Sequence, residues 1–448
     1  MQDQNKFQPT YSVGFDMDTY LASAASAGVP VHIADQGCAP FVHGGNASRS
    51  KWKPLSLKQM QTPGASTDPA SYSAFASQAF QVAARYGSRA VAPSLLRLAP
   101  GQPERSGLGT LAAFEAGNEW SATWNGREGF FSPLEYAAFL SAAYDGHAGA
   151  MGPGMGVKAA DPGMPVSNAG LAELANCSID YLESMHLWAA ANRADGRLPL
   201  DVVSVHHYSN SASGPVPRLG GAGAAERGVS PEDDRLSERV AAYAGWTARR
   251  APWARFWLGE FGYDTTGGPQ AAPAVGNMTA EQVQAAWLVR SALAAAEGGA
   301  AGAQMFMMAD VNSAGPFRFS SSGLLSDQAS GYRPKPSFFA YSAMVGAAGH
   351  LQYCGPGSPA AAQNVSSALL GGKGGCGAAP EAVVLWLPTS ADRRVQGFRY
   401  AAPGATTAVL MRLAAGAPMG VNTTVPVDGN GMTGPFDVSE TPAVLFLS

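Results

Sequence analysis

The 448-residue sequence predicts an α/β fold followed by a small antiparallel β-sandwich. Helical patterns alternate with short apolar runs through most of the chain, which is typical of parallel βαβ units. From about residue 349 the pattern changes to short runs separated by Gly, Pro and Asn, which indicates antiparallel strands. Hydrophobic residues make up 46% of the chain, enough for a sizeable core. We therefore predict an α/β domain over residues 1–348 and a β-sandwich over 349–448.

Composition also restricts the partners that we expect. The net charge of −4 provides no basic field that would attract nucleic acid or an anionic membrane surface. No apolar run approaches the roughly 20 residues needed to span a bilayer. We therefore predict no nucleic-acid partner and no membrane span.

Glycosylation signals and cysteines favour a secreted protein weakly. Cys354 and Cys376 flank a Gly/Ser-rich loop, and either a disulfide or two free thiols fits their spacing. The N-terminal segment has neither the basic start nor the apolar stretch of a signal peptide. The N-x-S/T sequons are at Asn46, Asn176, Asn277, Asn364 and Asn422.

Apolar periodicity and cap residues predict the individual elements. The segment Ser132-Pro133-Leu134-Glu135 predicts a helix start, because Ser suits the N-cap, Pro the first helical position and Glu the capping box. The other predicted helices are 18–27, 71–86, 178–193, 231–250 and 279–297. The predicted strands are 29–34, 111–117, 156–160, 201–208, 255–261 and 303–309, then 383–388, 407–413 and 443–447.

Two glutamates stand at the ends of predicted strands. Glu119 follows the segment 111–117, and Glu260 ends the strand at 255–261 after apolar residues on the same face. The carboxyl ends of parallel strands are where β/α folds place catalytic groups. Retaining hydrolysis of a glycosidic bond needs one carboxylic acid and one ionised carboxylate, about 5–5.5 Å apart. A single strand-end Glu is more often an ion-pair partner, but two in this order favour a catalytic pair.

The sequence around both glutamates resembles clan A of the glycoside hydrolases. The resemblance rests on Asn118-Glu119-Trp120 and on the run from Leu258 to Asp264, LGEFGYD. Supporting context comes from Tyr136, the stretch VKAADP at 157–162, His206-His207-Tyr208, and GYRPKPSFFAY at 331–341. The resemblance implies a (β/α)8-type TIM barrel with a C-terminal sandwich. Only 28 residues precede the strand at 29–34, where such barrels have two βα units, so we expect a barrel lacking its first one or two βα units.

The resemblance also implies roles for single residues. Glu119 would be the general acid/base and Glu260 the nucleophile of a retaining glycosidase acting on β-linked sugars. Asn118 would hydrogen-bond the substrate 2-hydroxyl, and Tyr208 or His206 would hold Glu260 ionised by a hydrogen bond. The alternatives are a catalytically silent carbohydrate-binding relative, an inactive fragment of such an enzyme, or an inverting hydrolase.

The remaining candidates rest on residue type and position. Trp120, Trp124 and Trp52 lie on predicted loops, where they either stack on sugar rings or pack against the loop. Asp310 follows a strand end, where it either touches substrate or caps a loop, and Glu115 is predicted to be a buried structural partner. No residue spacing indicates a metal or another cofactor. The predicted partner is an oligosaccharide, a polysaccharide or a small glycoside.

Overall fold

The structure is a computed structural model in which the chain forms two compact units. The first comprises Met1–His206 with Gly245–Trp257, and the second His207–Ala244 with Leu258–Ser448. The described residues are 6–9, 16–36, 39–49, 52–172, 176–211, 227–357, 363–372 and 380–448.

Parallel strands form the sheet of the first unit. β1 pairs with β2, β2 with β3, and β3 with β5, all in parallel, while β4 pairs with β5 beside β3. In the register, His32 lies opposite Ala113, Phe114 opposite Val166, and Ser167 opposite Val202. The strands are β1 (His32–Ala34), β2 (Ala113–Ala116), β3 (Val166–Asn168), β4 (Leu171–Ala172) and β5 (Val202–His206).

The helices of the first unit begin and end where local chemistry requires. The predicted capping box at Ser132 is present, since Glu135 N–H donates to Ser132 Oγ and Ser132 N–H donates to the Glu135 carboxylate. This helix ends at Gly146, which adopts the left-handed conformation (φ 65°). The helices are α1 (Met17–Ser26), α2 (Leu57–Gln61), α3 (Ser73–Tyr86), α4 (Gly126–Gly129), α5 (Pro133–Asp145), α6 (Val157–Ala160) and α7 (Asn176–Asn192). Short 3-10 helices cover Pro40–His43, Ala47–Arg49, Ala65–Thr67, Pro69–Tyr72, Pro93–Leu95 and Thr123–Asn125.

The strand predicted at 156–160 is wrong, because this segment forms the helix α6. Gly156 has φ 84°, which turns the chain so that Val157 starts a helical turn and is fully buried. The strand that was missed, β3, contains the polar residues Ser167 and Asn168, and so it has no apolar run. The Asn168 side chain compensates by exchanging two hydrogen bonds of 2.8 Å with the backbone of Ser204.

Two elements cross from one unit to the other along the chain, β6 (Arg255–Phe261) and α8 (Leu236–Arg250). The prediction for β6 is confirmed to the residue. The helix predicted to begin at 231 starts five residues later, because Arg235 adopts a left-handed conformation (φ 57°) that separates a turn from α8. Within the second unit, α9 (Ala280–Glu297) connects β6 to its neighbour β7 (Gly302–Met305), and α10 (Pro336–Ala348) follows.

Antiparallel sheets form the C-terminal part of the second unit. Six strands pair in the order β13-β12-β15-β10-β9-β8, and β11 pairs with β14 in a two-stranded sheet. Alternate residues of β10 face two cores, since Val384 packs with α9 and α10 while Val383 packs with the smaller sheet. The strands are β8 (Gln352–Pro356), β9 (Ser366–Gly371), β10 (Ala382–Trp386), β11 (Arg394–Phe398), β12 (Thr407–Arg412), β13 (Val421–Pro426), β14 (Phe436–Ser439) and β15 (Ala443–Leu447).

The predicted change from parallel to antiparallel strands is therefore confirmed. It falls between α10 and β8, although the domain division at residues 348 and 349 itself stays a prediction. Cys354 is disulfide-bonded, while Cys376, the partner suggested by the sequence, lies outside the described residues. Within the described part of the chain, no helix combines the length and the apolar character that a bilayer crossing requires.

Candidate active site

Glu119 lies just beyond the carboxyl end of β2, in an unusual backbone conformation. Its φ is 48°, in the left-handed region that L-residues with long side chains rarely adopt. The turn depends on Gly117, which has φ 102°, and a Cβ there would approach the Trp120 ring to 2.9 Å. Such strain persists only where the surrounding structure enforces it, and it is concentrated at functional sites.

The Glu119 carboxylate is partly exposed and contacts His206 at the end of β5. The distance from His206 Nδ1 to Glu119 Oε1 is 3.0 Å, and the Glu119 side chain is 24% exposed while His206 is buried. Gly170 makes room for the imidazole, because a Cβ at this position would lie 1.8 Å from His206 Nε2. The sequence predicted His206 as a site residue, and its partner within the first unit is Glu119.

Glu115 is a buried structural partner beside this contact, as predicted. Its Oε1 accepts a hydrogen bond of 2.7 Å from the backbone N–H of Gly170, and Glu115 is 5% exposed. Tyr136 links the same strands, since its hydroxyl donates to Ala116 O and accepts from the N–H of Ala169. The deeper carboxylate therefore positions the backbone, and the outer one, Glu119, is accessible.

Glu260 is the penultimate residue of β6, in the part of the strand that belongs to the second unit. Phe256 and Leu258, on the same face of the strand, are buried, whereas Glu260 is only partly buried. The Tyr208 hydroxyl donates a hydrogen bond of 2.6 Å to Glu260 Oε2, and the N–H of His207 donates to Glu260 O at 2.9 Å. A hydrogen bond to a carboxylate favours its charged form, which is the state that a nucleophile requires.

Arg318 is a residue of this region that the sequence analysis missed. Its guanidinium carbon lies 5.6 Å from the centre of the Tyr208 ring, and its Nε donates to Gln270 Oε1 at 2.7 Å. Phe319 contacts the same tyrosine ring edge to face at 4.8 Å. An arginine on an irregular loop carries no periodic signal, so only the folded chain identifies it.

Two buried carboxylates, Asp264 and Asp310, hold the loop that carries Arg318. Asp264 accepts hydrogen bonds from the N–H groups of Phe319 and Ser321 and from the Ser322 hydroxyl. Burial raises the pKa of the Asp264 carboxyl, and the hydrogen bonds from Ser322 and from the backbone oppose that rise.

Asp310 does not fit the substrate-contact role that was one of its two predictions. It accepts from Gly323 N–H at 2.7 Å and from Ser313 Oγ at 2.8 Å. It also forms an ion pair of 3.1 Å with Lys335, and both side chains are 1% exposed. Because its oxygens are buried and occupied by these partners, Asp310 caps the loop.

The tryptophans differ in their exposure. Trp120 is 4% exposed and stacks on Phe131 at 4.9 Å inside an aromatic core, so the prediction that it stacks on a sugar is wrong. Trp124 is 64% exposed and available to a ligand. Asn118 is half-buried, and no group among the described residues hydrogen-bonds its amide.

No protein-family model and no curated protein sequence matches the chain. Several solved structures do match the chain. A family 39 glycoside hydrolase from the gut symbiont Bacteroides cellulosilyticus WH2 is 14% identical, with a TM-score of 0.60 over 96% of this chain and 70% of that one. A glucosidase from Croceicoccus marinus is 13% identical, with a TM-score of 0.54 over 99% and 84%.

A family 30 endoxylanase from Clostridium papyrosolvens C71 is similar as well. It is 11% identical, with a TM-score of 0.53 over 100% of this chain and 87% of that one. At such identities the comparison shows the fold alone. The chain shares the clan A glycoside hydrolase fold of parallel strands followed by antiparallel sheets, as the resemblance implied, while the full eight-stranded barrel stays a prediction.

Proposed function

We propose that this protein is a retaining glycoside hydrolase that cleaves β-linked glycosides by double displacement. The observation that carries the proposal is the placement of the two candidate carboxylates. Glu119 lies just beyond the carboxyl end of β2, Glu260 lies near the carboxyl end of β6, both are partly exposed, and they contact His206 and Tyr208 respectively. Solved glycoside hydrolases with the same fold support this assignment. The proposal includes a (β/α)8-type barrel that contains these parallel strands, with an oligosaccharide, a polysaccharide or a small glycoside as substrate.

In the proposed first step, Glu119 donates a proton to the glycosidic oxygen while Glu260 attacks the anomeric carbon. The C–O bond to the leaving group breaks, and a covalent glycosyl-enzyme forms. The Tyr208 hydroxyl donates to Glu260 Oε2 and so orients the carboxylate that attacks.

In the second step, Glu119 acts as a base and removes a proton from water while the water oxygen attacks the anomeric carbon. The bond from that carbon to Glu260 breaks, which releases the sugar and regenerates the Glu260 carboxylate. His206 fixes the orientation of the Glu119 carboxylate in both steps. Asn118 hydrogen-bonds the substrate 2-hydroxyl, and Trp124 offers its exposed ring to a sugar face.

Two substitutions test the assignment of roles. Glu260→Ala should abolish turnover, because no other group forms the covalent intermediate. Glu119→Ala should slow substrates with poor leaving groups by a factor of about 100 or more, while activated aryl glycosides lose far less, because these need little protonation. The measurement is kcat/KM across a series of aryl β-glycosides.

The control is Glu104→Ala, which removes an exposed carboxylate outside both strand ends and should leave kcat/KM unchanged. Substantial turnover by Glu260→Ala would remove the proposed nucleophile. Equal losses for good and poor leaving groups in Glu119→Ala would remove the proposed acid.

A further inference from the structure

The first unit contains a cavity of about 740 Å³ that the catalytic proposal does not use. Two segments line it, one in the connection that follows β1 and the other in the connection from β2 into α5. We call it the Trp52 cavity. Its volume lies within the range of roughly 300–1,000 Å³ that is usual for ligand sites. The residues that matter are Trp52, Lys53, Gln61, Arg127, Glu128 and Glu135.

One wall of the Trp52 cavity is an indole held in place from within the same segment. The Arg49 guanidinium carbon lies 4.7 Å from the centre of the Trp52 ring, and the buried His43 ring contacts it edge to face at 5.6 Å. A fixed aromatic ring is a surface on which the C–H face of a sugar packs, because it offers apolar area at little entropic cost.

A buried lysine also lines the cavity. Lys53 is 7% exposed and its Nζ donates to Glu135 Oε2 at 2.9 Å, while its backbone N–H donates to Glu128 O at 2.7 Å. An ammonium has three N–H donors. Among the described residues, Lys53 forms one ion pair, and its Nζ also lies 5.2 Å from the centre of the Phe131 ring, so donor capacity remains on a side chain that lines the cavity.

The charges of the lining favour a neutral, hydroxyl-rich ligand. Lys53 and Arg127 are balanced by Glu128 and Glu135, so the cavity offers no net attraction to an anion or a cation. Donors and acceptors stand side by side, and Gln61 adds both. Sugar hydroxyls donate and accept hydrogen bonds at once, whereas a phosphate or an amine would satisfy only one half of this set.

The cavity wall begins close to Glu119. Asn125 Nδ2 donates to Glu119 O at 3.3 Å, and α4 starts at the next residue. Arg127 is two residues beyond Asn125. Their Cα atoms are therefore at most about 7 Å apart, which is the span of two residues of extended chain. An oligosaccharide chain at Glu119 is therefore long enough to enter the Trp52 cavity.

We infer that the Trp52 cavity is a remote sugar-binding subsite, and that the substrate of this protein is an oligosaccharide or a polysaccharide rather than a small glycoside. The inference rests on the proposed glycosidase function. Binding energy from a remote sugar lowers KM or raises kcat only for substrates long enough to reach the cavity.

The experiment compares β-linked hexasaccharides of glucose, xylose, mannose and galactose with the matching aryl monoglycosides. In Trp52→Ala, we expect the ratio of kcat/KM for the hexasaccharide to that for the aryl glycoside to fall at least about tenfold. Arg127→Ala, which alters an exposed side chain and leaves the fold intact, should lower the same ratio about threefold or more. The matched control is Trp253→Phe, because Trp253 donates to Leu200 O elsewhere in the first unit.

An unchanged ratio in both Trp52→Ala and Arg127→Ala would overturn the subsite. If Trp52→Ala does not fold, Arg127→Ala decides alone. If the natural sequence hydrolyses none of these substrates, the proposed function fails. Calorimetric titration of the hexasaccharides then tests the cavity, which requires binding that Arg127→Ala weakens, and no binding by any of them rejects it.

Discussion

At the residue scale, each of the two proposed catalytic carboxylates has its own hydrogen-bonding partner. Glu119 contacts the imidazole of His206, and Glu260 accepts from the hydroxyl of Tyr208. The Arg318 guanidinium lies over the ring of Tyr208, and its Nε donates to the side chain of Gln270. We expect Arg318 to position the Tyr208 ring, and its positive charge to favour an ionised Glu260.

Tyr208→Phe removes the hydroxyl that Glu260 accepts from. A hydrogen bond to a charged group contributes about 1.5–3 kcal/mol, so we expect kcat/KM to fall about 10- to 150-fold. The ionised carboxylate loses a donor, and the acidic limb of the kcat/KM profile should therefore move to higher pH. Arg318→Gln should move the limb in the same direction by less, and Arg318→Lys should restore most of the shift.

Tyr144→Phe serves as the matched control, since the Tyr144 hydroxyl serves Asp201 instead. A Tyr208→Phe profile that coincides with that of the natural sequence would show that this hydroxyl does not support the nucleophile. Circular dichroism shows whether each variant folds. If the side chain only positions the nucleophile, the spectrum of the variant should match that of the natural sequence.

At the element scale, polar side chains complete the sheet of the first unit. His32 on β1 lies 3.5 Å from the Glu115 carboxylate on β2 and 3.3 Å from the Ser167 hydroxyl on β3. Burial lowers the pKa of His32 to about 4. The folded chain therefore holds His32 neutral, in an environment that resists its protonation.

This environment predicts an acid-sensitive step in stability. Between pH 6.5 and about 4 the unfolded chain binds a proton at His32 that the folded chain does not, so the free energy of unfolding rises with pH across this window. We expect a slope of up to about 1.4 kcal/mol per pH unit from this residue. His32→Gln should flatten the slope, as measured by urea unfolding at several pH values.

His350→Gln is the control, because it makes the same replacement at an exposed histidine outside this sheet. A steep slope that persists in His32→Gln would assign the acid sensitivity to other groups.

The sequence predicted those elements whose signals are local. β6 is a continuous run bounded by polar residues, and the helices after Ser132 and Thr279 begin at capping boxes, so all three are placed correctly. β3 was not predicted because its polar residues give no apolar run. The Asn168 side chain accepts from the backbone N–H of Ser204 on β5, and this hydrogen bond exists only in the folded chain. The burial of Trp120 is tertiary as well, since Phe131 and other rings of the aromatic core come from elsewhere in the chain.

The residues of the candidate site also differ in whether the sequence carries a local signal for them. Glu119 and Glu260 were identifiable because strand ends are visible in the sequence. The role of Asp310 was not, because its partner Lys335 lies 25 residues away and only the folded loop joins them. Arg318 was likewise invisible, since its position over Tyr208 depends on the buried Asp264 network.

At the scale of the whole molecule, parallel strands with helices are followed by antiparallel sheets, in an arrangement shared with glycoside hydrolases at 11–14% identity. A shared fold does not carry an activity by itself, since function belongs to specific side chains. The proposed function therefore depends on whether Glu260 forms a bond to sugar.

The most direct test is covalent trapping with a panel of activated 2-deoxy-2-fluoro-β-glycosides, followed by peptide mass spectrometry. The fluorine slows breakdown of the glycosyl-enzyme more than its formation when the leaving group is good. We predict time-dependent inactivation and a single added sugar on the peptide that contains Glu260, with no labelling in Glu260→Ala. A label on another residue, or no label from any sugar of the panel, would contradict the proposed mechanism.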